Sequence, residues 1–223
     1  MKVFIGYDSE QDIAYQVCKY SILKQNSDIK IFPLVQKELR DKGLYCRDFD
    51  PFSSTEFSFT RFLVPHLSNY EGWSLFCDCD FLWLEDIKNL FELCDKKYAV
   101  MVVKHNYVPK TSVKMNGKVQ TNYPRKNWSS MVLWNCDHPS NKKLTIEKVN
   151  TYSGSYLHQF KWLNDYEIGE IPFHWNFLVG WNKDPNPKAL HYTEGGPWIA
   201  NCENCEYSDV WNKFCEEYQS YLK

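Results

Sequence analysis

Residues 74–82 read SLFCDCDFL, and the fold turns on how this stretch is read. Residues 73–77, WSLFC, are apolar and compact enough for a buried strand that ends at two aspartates. In extended chain, residues two apart project to one side, so Asp78 and Asp80 point the same way while Cys77 and Cys79 enter the opposite layer. Ligands in open α/β sheets gather beyond the carboxyl ends of the strands, which is where this acidic pair falls. Two neighbouring carboxylates repel, and a divalent cation removes the conflict. Oxygen ligands of this kind suit Mg²⁺ or Mn²⁺. The bland alternative is an acidic strand end facing water.

Working outward, residues 2–8 read as a first strand ending in a glycine-containing turn. A helix follows from Ser9, with Ile13, Val17, Tyr20 and Leu23 at helical spacing and Ser9 with Asp12 resembling a capping pair. Residues 29–35 alternate like a strand, and Pro33 assigns it to an edge or a bulge. Strand, helix, strand predicts α/β layering. Thr55 is expected to cap a helix broken by Pro65. Residues 86–94 read as a short amphipathic helix, 99–103 as a buried strand and 129–134 as another strand. Residues 140–165 read as helical with a break near Gly154, and the tail from Tyr207 as a helix with Val210, Phe214, Tyr218 and Tyr221 on one stripe. Asn116-Gly117 between alternating runs predicts a β-hairpin excursion near 110–122. The surrounding segment is basic, with Lys104, Lys110, Lys114, Lys118, Arg125 and Lys126; it is either a solvated hairpin or a flap over an anionic ligand. Without repeats or linkers, residues 1–223 read as a single domain.

Composition narrows the partners. Lys plus Arg number 26 and Asp plus Glu 28, so no global charge favours nucleic acid or an anionic membrane. No apolar run reaches the roughly 18 residues of a transmembrane helix, and the N-terminus lacks a signal-peptide pattern, so a cytoplasmic location is expected. Nine cysteines then read as reduced and mostly buried. Cys202 and Cys205 have zinc-like spacing, but Cys215 and His191 complete no common zinc pattern. A haloacid-dehalogenase-type phosphatase also places D-x-D after an apolar strand. Here Phe81 stands where Thr or Val is usual, and only Glu170 follows Gly169 as a candidate further acid.

FIGYDSEQDIAY, FTRFLVP, LFCDCDFLW, SSMVLWN, IGEIPFHWN and LHYTEGGPW occur in that order from about residue 2 to 198. This string resembles nucleotide-sugar-dependent glycosyltransferases of the GT-A fold, in particular small family-8-like, retaining enzymes. The resemblance implies a mixed sheet flanked by helices and a UDP-sugar donor, from which a hexose or N-acetylhexosamine passes to a carbohydrate or glycoconjugate hydroxyl. It implies that Asp78, Asp80 and His191 hold Mn²⁺ or Mg²⁺, with Asp80 also meeting the ribose. Gly6, Tyr7 and Asp8 would take the base. Gly195 and Gly196, beside Trp198, would let backbone N–H groups approach the diphosphate, and Arg61 would reach the sugar or phosphate. Family members often carry a lysine between the last glycine and Pro-Trp. Here Gly196 is followed directly by Pro197, so Arg61 or a cation from 104–126 must supply that charge. The segment facing the anomeric carbon has His158, Gln159 and Asp165 as candidates, with Asp165 the first choice. A non-catalytic nucleotide-sugar or glycan binder of the same fold is the alternative.

Overall fold

The computed structural model describes residues 1–48, 53–107 and 123–222; the expected hairpin near 110–122 lies outside them. Strand β1 (Lys2–Gly6) leads into helix α1 (Asp12–Gln25), strand β2 (Lys30–Leu34) and helix α2 (Gln36–Asp41). Helix α3 (Val64–Leu67) precedes β3 (Trp73–Cys77), β4 (Phe81–Trp83) and α4 (Ile87–Phe91). Next come β5 (Val100–Val102) and β6 (Met131–Asn135). Three short helices follow: α5 (Pro139–Lys142), α6 (Ile146–Thr151) and α7 (Gly154–His158). The chain closes with β7 (Ile168–Glu170), β8 (Phe177–Leu178), β9 (Ala189–His191) and α8 (Ser208–Tyr221).

Six strands form one mixed sheet in the order β2-β1-β3-β6-β5-β7. β1 runs parallel to β2 and β3, and β5 runs parallel to β7. β6 is antiparallel to both β3 and β5 and so joins the two parallel groups. β3 is central and ends at the acidic pair, as its apolar run predicts. β2 is an edge, where Pro33 leaves no neighbour short of a donor. A second sheet, β4-β9-β8, stands beyond the end of β3.

Several local expectations are corrected. Asp8, not Ser9, caps the first turn, its carboxylate accepting from Glu10 N–H at 3.0 Å. A 3₁₀ turn at Ser9–Gln11 then precedes α1. The Ile13, Val17 and Tyr20 stripe faces a small apolar cluster with Trp211 and Phe214 of α8. The main core takes Tyr15, Cys18 and Ile22 from another side of α1. Helix α1 is therefore covered on two sides, which one amphipathic stripe could not reveal. Thr55 caps no long helix: it exchanges hydrogen bonds with Ser58 within a turn. Pro65 sits in the first turn of α3, where its missing N–H costs nothing, and so begins that helix rather than breaking one. Gly154 opens α7, as the expected break requires. Cys18, Cys77, Cys79 and Cys136 are buried, but Cys46 is exposed. Among the described residues, no helix is long and apolar enough to cross a membrane.

Candidate functional site

The acidic pair follows β3 directly. Asp78 N–H donates to the Ser130 carbonyl at 2.9 Å, which extends the β3–β6 ladder by one rung and fixes the first aspartate. Asp80 lies one residue before β4. β4 pairs antiparallel with β9, with Phe81 opposite His191. That register carries an imidazole from the far end of the chain to the acids. Tyr192 N–H donates to the Asp80 carbonyl at 3.0 Å, and the His191 ring stacks on Phe81 with centroids 4.5 Å apart.

His191 Nε2 lies 3.4 Å from Asp80 Oδ1. One donor atom each from Asp78, Asp80 and His191 lies within 4.8 Å of the others. Two carboxylates with one imidazole are a donor set that fits a divalent metal ion. Among the described residues this is the one such group, and it includes no cysteine. Burial pushes the Cys77 and Cys79 thiols well above their usual value, so they remain neutral and turned inward. Glu170, the further acid of the phosphatase reading, is exposed at the end of β7 and does not join the group.

Arg61 is 5% exposed and belongs to the same constellation. Its guanidinium bonds Asp78 Oδ1 at 2.7 Å and the Ser129 carbonyl at 2.9 Å, over the rings of Phe57 and Phe76. Ser129 Oγ meets His158 Nδ1 at 2.8 Å. The turn at 127–130 begins at Asn127 with φ +65° and thus holds Asp78, Arg61 and His158 in one frame. His105 packs behind it. Burial first, and then the charge of His191, press the His105 imidazole down to about 3, against an opposing contact from Asn176. It is neutral at physiological pH.

These groups open on a cleft of about 420 Å³. Gln11 lines one part of it, Ser155, His158 and Gln159 another, and Asp78, Asp80 and His191 also face it. Lys126, which was named only as part of a basic stretch, lines the cleft at 6% exposure with its ammonium near the Tyr107 and Tyr123 rings. Tyr107 O–H donates to Glu194 Oε1 at 2.8 Å, which ties this region to the 193–196 turn.

The remaining expected residues fall at varied distances from the chemistry. Asp8 is buried behind its cap, and burial raises its carboxyl above the usual range. Tyr7 O–H donates to Asp12 Oδ1 at 3.1 Å. Gly6 is required by packing, since a Cβ there would lie 2.4 Å from the Phe57 ring. Gly195 has φ +110°, and a Cβ on Gly196 would lie 2.0 Å from the Trp198 ring. Trp198 caps the α8 cluster and donates its indole N–H to Gln11 Oε1 at 3.3 Å. Gln159 lines the cleft, but Asp165 does not. Its exposed carboxylate pairs with Arg125, which also donates to the Gln159 carbonyl at 2.6 Å. Two residues beside the site fall in the SSMVLWN and IGEIPFHWN stretches but were assigned no role there. Asn176 bonds His191, and Ser130 bonds Asn176.

No family model matches the chain. Protein CDI of Arabidopsis thaliana is 58% identical over 224 residues, covering 97% of this chain and 86% of that protein. Among solved structures, the glycosyltransferase GlyE of Streptococcus pneumoniae TIGR4 superposes with a TM-score of 0.64 at 16% identity over 96% of this chain. This chain spans 60% of GlyE. The galactosyltransferase LgtC, solved with donor and acceptor sugar analogues, superposes with a TM-score of 0.62 at 11% identity, covering 97% of this chain and 96% of LgtC. The fold is that of GT-A glycosyltransferases.

Proposed function

Since the chain belongs to the family of Arabidopsis thaliana Protein CDI, a name that states no reaction, we infer its function from the site: a metal-dependent glycosyltransferase. The donor is a UDP-sugar carrying a hexose or N-acetylhexosamine. The acceptor is a hydroxyl of a carbohydrate or glycoconjugate, and the anomeric configuration is retained. One observation carries the reading: Asp78, Asp80 and His191 converge, with Arg61 bonded to Asp78, on a cleft in a glycosyltransferase fold.

Asp78, Asp80 and His191 would hold Mn²⁺ or Mg²⁺, which when bound supplies Lewis-acid stabilisation of the departing nucleoside diphosphate. Arg61 orients Asp78. Lys126 provides the phosphate-facing cation that the Gly196-Pro197 junction lacks, and because its side chain is buried beside the Tyr107 and Tyr123 rings its charge is screened less than at the surface and can act on a developing oxyanion. Gly6, Tyr7 and Asp8 form the base end, with Gln11 at the mouth. Gly195, Gly196 and Trp198 shape the wall next to the diphosphate. His158 and Gln159 face the sugar. Retention by attack on the face the diphosphate leaves lets that group accept the acceptor proton, so no side-chain base is needed. The placement of Asp165 outside the cleft supports this course over inversion, which needs a base on the opposite face.

The test is a panel of nucleotide sugars with and without Mn²⁺, following nucleotide release and donor binding. UDP-sugar turnover that requires the metal is expected. Absence of binding and release under all conditions removes the reading, and tight metal-independent binding without turnover marks a non-catalytic binder.

A further inference from the structure

We propose that Asn176 is the positioning residue of His191, and that a hydrogen-bond chain anchored on a backbone carbonyl chooses which imidazole nitrogen faces the acidic pair. The inference rests on the metal reading of Asp78, Asp80 and His191.

The direction of the chain follows from its anchor. The Asn127 carbonyl can only accept, so Ser130 O–H donates to it, at 2.7 Å. With its single proton used, Ser130 Oγ accepts from Asn176 Nδ2 at 2.9 Å. This places the amide oxygen of Asn176 toward His191, 2.8 Å from Nδ1. Nδ1 must therefore carry a proton. In the neutral ring the lone pair is then on Nε2, the nitrogen that faces Asp80. Free imidazole side chains favour the opposite tautomer, so the protein selects the rarer form, the one able to ligate a metal through Nε2. Water does not reach the selection: Asn176 is 0% exposed, His191 1% and Ser130 3%. Asn176 belongs to a 3₁₀ turn at Phe173–Asn176 that leads straight into β8, the strand beside β9. The selecting amide and the selected ring are thus held by adjacent strands of one small sheet.

The experiment has two readouts. Long-range ¹⁵N–¹H correlation on the metal-free protein at about pH 9, where histidine is neutral, reports the tautomer. Titration with Mn²⁺ alone, followed by its electron paramagnetic resonance signal, reports affinity. Wild-type His191 is expected as the Nδ1–H form. Asn176→Leu should turn it to Nε2–H and weaken Mn²⁺ binding roughly 10- to 100-fold. Asn176→Asp keeps the acceptor and should keep the Nδ1–H form. Ser130→Ala leaves the amide free to rotate and should give a tautomer mixture, which provides a test should the leucine variant fold poorly. An Nε2–H form in the wild type overturns the proposal, as does unchanged Mn²⁺ affinity in folded Asn176→Leu. The expected tautomer in a wild type that binds no Mn²⁺ upholds the positioning and overturns the metal reading instead.

Discussion

At Gly6 the strand entering the site carries no side chain because the Phe57 ring occupies that space. The same ring lies under Arg61, with 5.3 Å between guanidinium and centroid. Gly6→Ala must displace the ring, and overpacking of this kind costs about 1–3 kcal/mol. Urea unfolding should show that loss, together with weaker nucleotide binding as Arg61 loses its platform. Asp80→Asn is expected to leave the unfolding midpoint near that of the wild type while abolishing sugar transfer and Mn²⁺ binding; full transfer activity in that variant would rule out the metal assignment. The acidic pair was legible as the end of an apolar run, but strand alternation does not align it: β3 stops at Cys77, and Cys79 and Asp80 lie in the turn that leads into β4. His191 was legible only by family resemblance, since the β4–β9 register that delivers it spans more than a hundred residues. Asn176 and Ser130 lie in stretches that carried the resemblance, but their bonds were not legible, because they form only where three separate segments meet. Asp165 does precede β7 as expected, but its carboxylate is exposed and pairs with Arg125 outside the cleft lining, which its place in the sequence could not show.

At the scale of elements, the approach to β7 is held by one carboxylate. Glu167 accepts from Ser140 O–H and from both nitrogens of Asn164 at 2.8 Å, closing the 3₁₀ turn at Asp165–Glu167. Burial works against its charge, but the Ser140 and Asn164 hydrogen bonds prevail and hold the carboxyl below its usual range. A carboxylate depressed by folding adds stability above its unfolded pKa, and that stability is lost as pH falls through the folded value. Glu167→Gln should therefore cost roughly 2 kcal/mol at pH 7, the order expected for bonds to a charged acceptor. The gap to wild type should narrow once both are unfolded below the carboxylate range. Urea titrations at the two pH values measure it. Strand and helix positions were largely readable from periodicity, whereas the double coverage of α1 and the role of Pro65 depended on neighbours that periodicity does not see.

For the molecule as a whole, alternation of strand and helix was enough to give an α/β sheet. That the sheet is mixed was foreseen only from the resemblance; that β6 is the strand reversed was not readable, because strand direction depends on connections rather than on composition. The site gathers groups from both sheets and from residues 61 to 191, so an ion bound there favours only the folded chain. Mn²⁺ at a hundredfold excess over its dissociation constant should add about 2.7 kcal/mol and raise the melting temperature by several degrees. Calorimetry with and without EDTA reads the difference, and Asp80→Asn should remove it. The turn at 127–130 has a consequence of its own. Two of its holds on the site, on Arg61 and on Asp78, are made by main-chain oxygens of Ser129 and Ser130. Alanine scanning leaves those two oxygens in place and reports only the side chains of the segment, such as the Ser130 hydroxyl that holds Asn176. Exchanging the amide at residue 130 for an ester weakens the Ser129 oxygen as an acceptor, and should expose an importance that no side-chain library can detect.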